Sequence, residues 1–229
     1  MHPSVILITG ANRGIGLETA RQLADQGHHV ILTARSPVKA ARAAARLVGD
    51  VLPLALDVLD ETSVQEAADF VRSRFGRLDA LINNAGIDYD TDQSVESAEL
   101  DRVHRILETN VLEVWRVTQA FLPLLRQSNH PRVVNVSSSS GQLSGWVDAA
   151  PGYGVSKTAL NALTVRMAAE WKREDILVNA ICPGWVATDM GGTGGGPVAD
   201  GAASVIWGVT LPDDGPSGGF FRHGEQLEW

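Results

Sequence analysis

Tyr153 and Lys157, two residues with complementary proton chemistry, stand four positions apart in this 229-residue sequence. They fall in residues 152–173, whose apolar spacing predicts a helix, so both side chains lie on one helix face. A free tyrosine has a pKa near 10, and an adjacent ammonium lowers that pKa because it favours the tyrosinate. The pair is a candidate proton-transfer site, although Tyr-x-x-x-Lys by itself is also common on ordinary helices.

A glycine-rich turn at residues 9–16 directly follows the apolar run Val5–Ile8 and precedes another predicted helix. Gly10 permits a tight turn, Gly14 permits close approach of a pyrophosphate, and Gly16 lets the helix pack on the strand. The helix N-terminus offers unpaired N–H groups to an anion. The turn therefore predicts a dinucleotide-phosphate site, with a purely structural turn as the alternative.

Short apolar runs alternate with longer helical patterns along most of the chain. The runs predict strands at residues 5–8, 29–33, 51–56, 80–82, 132–136 and 177–181. The longer patterns predict helices at residues 16–26, 37–48, 62–74, 97–127 and 152–173. This alternation predicts an α/β fold built on a doubly wound parallel sheet, with helices on both faces.

We expect one domain over residues 1–229, since no linker or repeat divides the chain before about residue 190. The glycine run 191–196 predicts a flexible substrate loop at about residues 184–200, with a plain spacer as the alternative. A helix at 198–211 and a last strand at 218–221 complete the predicted elements.

The charge balance, 19 basic against 27 acidic residues, argues against nucleic acid and membrane surfaces as partners. One cysteine, Cys182, excludes an intrachain disulfide, and neither it nor the six histidines has metal-ligand spacing. We therefore expect a cytoplasmic protein without a metal.

Three motifs occur together, and jointly they resemble the short-chain dehydrogenase/reductase family. They are T-G-x-x-x-G-x-G at residues 9–16, N-N-A-G at 83–86 and Y-x-x-x-K at 153–157. Further matches, among them Leu32-Thr33-Ala34-Arg35 and the segment Pro183 to Met190, look most like the NADPH-dependent carbonyl reductases. The resemblance spans roughly residues 4–190 and implies a Rossmann-like oxidoreductase.

The resemblance also implies a set of cofactor contacts. Asp57 and Val58 would lie near the adenine, and Asn83, Ala85 and Gly86 would form a floor beneath the ribose and nicotinamide. A plain turn is the alternative reading of the second group. Lys157 would bond the ribose hydroxyls. The remaining cofactor residues are Gly10, Asn12, Arg13, Gly14, Ile15, Gly16, Tyr153, Pro183, Gly184, Val186 and Thr188.

Arg35 stands at the end of the second predicted strand, where an acidic residue would bond the ribose 2′-OH and a basic residue would accept a 2′-phosphate. Together with Arg13 in the glycine turn, it predicts NADP(H) as the cofactor. Two ordinary surface arginines are the alternative.

The partner serine is one of four consecutive serines, Ser137 to Ser140. The family pattern places it three residues before a glycine, which selects Ser138 through Gly141, whereas the usual spacing to the tyrosine selects Ser140. Ser138 is preferred because the strand end sets its position. By resemblance, Asn110 anchors a water chain to Lys157; a helix-interior asparagine bonded to backbone is the alternative.

These residues predict hydride transfer from NADPH to a small or medium apolar aldehyde or ketone. Ser138 and Tyr153 would bond the carbonyl oxygen, and Tyr153 would donate the proton. Trp146 and Trp185 stand in loops at the carboxyl edge of the sheet and would line the substrate or anchor their loops. A homodimer, a tetramer and a monomer all stay open.

Two other functions are compatible with parts of the pattern. One is an NAD-dependent alcohol or hydroxysteroid-type dehydrogenase, which a comparison of cofactors separates. The other is a non-catalytic dinucleotide-sensing protein, whose mark would be a missing Tyr or Lys, and both are present here.

Overall fold

The protein is built on one eight-stranded sheet, as its computed structural model shows for residues 3–144 and 150–229. The strand order is β3-β2-β1-β4-β5-β6-β7-β8, in which all neighbours are parallel except β7 and β8. The direction of winding reverses between β1 and β4. In open α/β sheets ligands bind at the carboxyl ends of the strands beside such a reversal.

The strands are short and the helices are longer, as the alternating pattern predicts. The strands are β1 Val5–Ile8, β2 His29–Ala34, β3 Val51–Ala55, β4 Ala80–Asn83, β5 Arg132–Val136, β6 Leu177–Ile181, β7 Phe220–Arg222 and β8 Glu225–Gln226. The helices are α1 Gly14–Asp25, α2 Pro37–Ala44, α3 Glu61–Phe75, α4 Leu100–Leu107, α5 Glu113–Leu125, α6 Pro151–Trp171 and α7 Val198–Val209.

Each face of the sheet has its own apolar core, because successive strand residues point to opposite faces. Val5 and Leu7 of β1 pack in the core that α3, α5 and α6 cover. Ile6 and Ile8 of the same strand pack in the core that α1, α2 and α7 cover. The predicted doubly wound sheet with helices on both faces is confirmed.

The helix expected over residues 97–127 is interrupted. Most of it forms α4 and α5, and the five residues Glu108–Leu112 between them make a π-helical turn. Asn110 lies in this turn and is fully buried. Such widened turns are frequent at functional sites, and this one carries the polar side chain of Asn110.

The last part of the chain departs from the prediction in two ways. A two-residue strand, β8, pairs antiparallel with β7, and the sequence pattern did not indicate it. The glycine run folds back on the segment after β6, with Ala187 N donating to Gly196 O at 2.9 Å and Gly196 N donating to Trp185 O at 2.8 Å.

In the described ranges, none of the helices combines the length and the apolar character that crossing a membrane would require.

Candidate active site

The glycine turn after β1 is tightly packed at Gly10 and Gly16. Gly10 and Gly14 have φ of 63° and 57°, a region that L side chains rarely adopt. A Cβ on Gly10 would lie 3.1 Å from Cα of Ala85. A Cβ on Gly16 would lie 2.5 Å from Nδ2 of Asn84 and 2.9 Å from Cα of Ala11. The backbone of the turn is thus open on one side and packed on β4 on the other.

Helix α1 begins at this turn. Arg13 precedes the helix in an extended conformation, and its own side chain does not cap the first turn. The first N–H groups of a helix without such a cap are available to an anion, and the partial positive charge of the helix end favours one. An open glycine cradle at an uncapped helix N-terminus therefore fits the pyrophosphate of a dinucleotide.

Asn84, which the sequence reasoning left out, ties the turn to the end of β4. Its Nδ2 donates to Thr9 O at 2.9 Å, while Thr9 Oγ1 accepts from the backbone N–H groups of Asn84 and Ala85 at 2.9 Å each. The side chain of Asn83 points inward and donates to Thr118 and Asn135. The available signal was the N-N-A-G motif itself, in which Asn84 is the second residue.

The turn also meets the segment after β6. A Cβ on Gly14 would lie 3.6 Å from Cγ2 of Thr188. Arg13 donates to Asp189 at 2.7 Å, and both side chains are largely exposed. Asp189 thus occupies one guanidinium that the sequence assigned to a phosphate.

The other predicted adenine-side residues lie at the ends of their strands. Arg35 is exposed and immediately follows β2. Asp57 and Val58 follow β3, with Val58 8% exposed and Asp57 accepting from Leu59 N. Asn12 and Ile15 are half-buried in the glycine turn and the first turn of α1.

Tyr153 and Lys157 come together on α6, as the spacing predicts. The ammonium of Lys157 lies 5.4 Å from the centre of the Tyr153 ring and donates to Val136 O at 2.8 Å. Burial lowers the pKa of Lys157 to about 8.

Burial also raises the pKa of Tyr153, to about 12, although a hydrogen bond with Ser138 acts in the opposite direction. This is the reverse of the lowered pKa expected from Lys157, because burial dominates here and the ammonium lies over the ring.

Among the four serines, Ser138 is the one whose side chain lowers the Tyr153 pKa. Ser138 caps the 3₁₀ turn Ser139–Gly141, and its Oγ lies 3.3 Å from Oγ of Ser140. Ser137 is turned away and donates to Asn161 at 2.6 Å. The turn packs directly on α6, since a Cβ on Gly141 would lie 2.6 Å from the carbonyl carbon of Lys157.

Asn110 reaches from the π turn to the same cluster. Its Oδ1 accepts from Ile87 N at 2.9 Å, and its Nδ2 donates to Ser156 Oγ at 3.0 Å. A Cβ on Gly86 would lie 3.3 Å from Oδ1 of Asn110 and 3.8 Å from Nζ of Lys157. The motif at the end of β4, the π turn and α6 therefore converge at one point.

The segment after β6 carries the remaining candidates. Pro183 and Val186 are buried, and Gly184 has φ of 83°. The indole N–H of Trp185 donates to Gly191 O at 2.8 Å, and 68% of this residue is exposed. Trp185 thus anchors the glycine run and still presents surface. Trp146 lies outside the described residues.

Two further residues border the cluster, and no motif indicated them. Tyr89 meets the Tyr153 ring edge-on, with ring centres 5.2 Å apart. Asp90 is fully buried and accepts hydrogen bonds from the first turn of α6. Both stand in an irregular loop whose sequence has no periodicity. Over residues 3–144 and 150–229, His, Cys, Asp and Glu form no group that could hold a metal ion.

A sequence model described as short chain dehydrogenase matches residues 4–194. The chain belongs to the short-chain dehydrogenase family.

Individual members of the short-chain dehydrogenase family match over nearly the whole chain. (+)-Neomenthol dehydrogenase of Capsicum annuum is 32% identical, covering 96% of this chain and 95% of that protein. Carbonyl reductase [NADPH] 1 of Sus scrofa is 32% identical, covering 98% and 94%. The crystal structure of NADPH-bound carbonyl reductase from chicken fatty liver is 29% identical and superimposes with a TM-score of 0.87 over all of both chains.

Proposed function

We propose that the protein is an NADPH-dependent carbonyl reductase that converts a small or medium apolar aldehyde or ketone to an alcohol. The observation that carries this proposal is the convergence of Tyr153, Lys157 and Ser138 beside the open glycine turn. Family membership and the carbonyl reductases among the similar proteins support the same reaction type.

The proton chemistry of Tyr153 suits the reductive direction. With its pKa raised to about 12, the phenol stays protonated at neutral pH and is available as a proton donor. Ser138 supplies a second hydroxyl at the oxygen on which negative charge develops. Tyr153 then gives its proton to that oxygen.

Lys157 and Asn110 hold the arrangement in place. The Lys157 ammonium is fastened to Val136 O at 2.8 Å, and from there it would bond the ribose hydroxyls of the cofactor. When bound, the nicotinamide cofactor supplies the hydride. Asn110, by resemblance to the family, would support a water chain through which protons return from solvent.

The cofactor preference rests on two guanidinium groups. Arg35 is exposed at the end of β2 and would accept the 2′-phosphate of NADPH. Arg13 would join it by leaving or sharing its bond with Asp189. Carbonyl reductase from chicken fatty liver is described with NADPH bound, which supports NADP(H) over NAD(H).

Substrate placement is proposed from the loops at the carboxyl edge of the sheet. Trp185 and Trp146 would supply apolar walls, and the folded glycine run would border Trp185. A single catalytic domain, a cytoplasmic location and a homo-oligomeric or monomeric state stay predictions from the sequence.

The first test is a side-by-side titration of the protein with NADPH and NADH, followed by nicotinamide fluorescence. We expect tighter binding of NADPH and, in Arg35→Asp, loss of that preference, because a carboxylate there repels the 2′-phosphate. Tighter NADH binding in the unaltered protein would favour an NAD-dependent alcohol or hydroxysteroid-type dehydrogenase. Binding of neither would contradict a dinucleotide enzyme.

The second test concerns the proton donor. Tyr153→Phe should lower turnover of aldehydes such as benzaldehyde by at least about 10²-fold, the usual loss for a general acid. NADPH affinity should stay within twofold. Tyr89→Phe is the matched control because Tyr89 is the one other tyrosine in the chain, and it should retain turnover within about threefold. Near-normal turnover in Tyr153→Phe would remove Tyr153 from the mechanism.

A further inference from the structure

Helix α6 begins without a cap from its own sequence. Ala150, the residue before the helix, has φ of 81°, and its methyl side chain cannot accept a hydrogen bond. The first turn of a helix nevertheless leaves several N–H groups without intrahelical partners, and burying them unpaired is costly. Tyr153 stands in this first turn, so the way these groups are satisfied determines where the turn lies.

Asp90 satisfies them from 62 residues away in the sequence. Its Oδ2 accepts from Gly152 N at 2.9 Å and its Oδ1 accepts from Tyr153 N at 3.0 Å. Pro151 has no N–H, and Gly154 N donates to Ala150 O at 2.9 Å. Every N–H from residue 151 to 154 is therefore accounted for, and the carboxylate of Asp90 accepts two of them.

The carboxylate is fully buried and closely fitted. A Cβ on Gly152 would lie 2.9 Å from Oδ2 of Asp90, 3.0 Å from Cδ1 of Ile106 and 3.3 Å from Cγ2 of Val103. A glycine at this position lets the carboxylate approach the helix end. An aspartate serves both N–H groups because each carboxylate oxygen accepts, whereas an amide accepts at one atom only.

The loop that carries Asp90 is itself clamped on both sides. Arg102 of α4 donates to both oxygens of Asp88 at 2.7 and 2.6 Å and to Asp92 at 2.8 Å. The Arg102 guanidinium lowers the pKa of both carboxyl groups. Asp88 and Asp92 flank Asp90 symmetrically, and Tyr89, between them, contacts the Tyr153 ring.

We infer that Asp90 is a positioning residue for the reaction: it caps α6 from the loop after β4 and thereby sets the location of the Tyr153 hydroxyl. The inference rests on the proposed role of Tyr153 as the proton donor. A proton donor displaced by about 1 Å loses much of its effect, because the transfer depends on near-contact geometry.

The test compares Asp90→Asn with Asp92→Asn. Asp90→Asn keeps the shape of the side chain but replaces one acceptor by an N–H donor. Asp92→Asn removes a charge from the same loop but keeps an oxygen that can accept from Arg102, which also bonds Asp88 through two atoms. We expect Asp90→Asn to lower kcat for benzaldehyde at least 10-fold, with Kd for NADPH within twofold, and Asp92→Asn to change neither more than twofold.

Gly152→Ala provides a second route to the same site, because the added methyl group would displace the carboxylate. We expect kcat to fall while Kd for NADPH stays within twofold. The kcat of the double variant Asp90→Asn/Gly152→Ala should lie no more than about twofold below that of the less active single variant. Independent, multiplying losses would contradict a shared cause.

A direct measurement of position does not depend on the substrate chosen. The chain has two tyrosines, so 3-fluorotyrosine labelling gives two ¹⁹F signals, assigned with Tyr89→Phe. The Tyr153 signal of the NADPH complex should shift in Asp90→Asn and stay in place in Asp92→Asn.

Each outcome separates this inference from the proposed function. An unmoved Tyr153 signal in Asp90→Asn, a kcat within twofold of the unaltered enzyme, or equal losses of kcat and NADPH affinity would each overturn the positioning role. Undiminished turnover in Tyr153→Phe would instead overturn the proposed proton donor, even if the Tyr153 signal moves as expected.

Discussion

Burial shifts the pKa values of Tyr153 and Lys157, which lie on one face of α6, in opposite directions. It disfavours the phenolate of Tyr153 and the ammonium of Lys157, so the pKa of the first is raised to about 12 and that of the second is lowered to about 8. At neutral pH both groups hold their protons. This state suits a site that waits for a carbonyl oxygen and gives it a proton.

Ser138 and Ser140 provide a prediction at the same scale. Ser138→Ala should lower kcat by about 10²-fold, the loss typical of removing one donor to a developing oxyanion. The physical reason is that the Ser138 side chain already acts on Tyr153, as its effect on the Tyr153 pKa indicates. The measurement is steady-state reduction of benzaldehyde by NADPH.

Ser140→Ala is the matched control for Ser138→Ala. Ser140 lies in the 3₁₀ turn that Ser138 caps, and each substitution removes one serine hydroxyl. We expect it to retain kcat within about threefold. If the two variants exchange these phenotypes, Ser140 is the functional serine and the spacing to Tyr153 was the better guide.

At the scale of elements, two departures from regular structure meet the segment that follows β4. The π turn at Glu108–Leu112 brings Asn110 to Ile87 and Ser156. The glycine turn after β1 packs closely against Asn84 and Ala85 at the end of β4. Both departures adjoin β1 or β4, the strands between which the sheet reverses its winding.

Gly16→Ala tests the contact between α1 and the end of β4. The added methyl group would lie 2.5 Å from Nδ2 of Asn84, which is held by Thr9 O at 2.9 Å. Overpacking of this kind costs about 1–3 kcal/mol. Since the displaced turn is the proposed phosphate cradle, we expect Kd for NADPH to rise at least about 10-fold in a fluorescence titration.

Gly196→Ala is the control for Gly16→Ala, since its Cβ would meet Trp185 O at an ordinary 3.5 Å. It should bind NADPH within about twofold of the unaltered protein. Unchanged binding in Gly16→Ala would show that this contact does not shape the cradle.

At the scale of the whole molecule, Glu113 couples stability to pH. This carboxyl group is 1% exposed on α5, and burial raises its pKa from 4.5 to about 7, against the effect of its partner Arg116. Among the described residues, its Oε2 finds no hydrogen-bond partner. The folded protein therefore holds a proton that the unfolded chain releases at lower pH.

The sign follows from proton linkage. Between pH 4.5 and 7 the folded state binds the proton and the unfolded state does not, so the free energy of unfolding falls as the pH rises. The full effect of the pKa difference is about 3 kcal/mol at about 1.4 kcal/mol per unit. Glu113→Gln should lack this loss and be more stable than the unaltered protein by about 1–3 kcal/mol at pH 8.

Urea denaturation at pH 5, 6, 7 and 8 measures this difference. Glu108→Gln serves as the control because Glu108 is half-buried and pairs with the same arginine at 3.4 Å. Its unfolding free energy should keep most of the pH dependence of the unaltered protein, because burial raises the Glu113 pKa more than Glu108 does. Parallel curves for Glu113→Gln and the unaltered protein would contradict a raised pKa at Glu113.

Local patterns in the sequence determined the doubly wound sheet, the glycine turn and the shared helix face of Tyr153 and Lys157. Apolar runs and three-to-four spacing report which face of an element is buried, and this burial drives folding of each element. The family could be recognised from local patterns too, since the residues within each of its three motifs are close together in sequence.

Only the tertiary structure decided which distant residues complete the site. Asp90 caps α6 across 62 residues, Arg13 bonds Asp189 across 176, and Asn84 fastens the glycine turn across 75. No local pattern indicates these pairings, because a hydrogen bond between loops depends on where the sheet brings their ends. Likewise, desolvation at the assembled site, which no spacing reveals, raises the pKa of Tyr153 rather than lowering it.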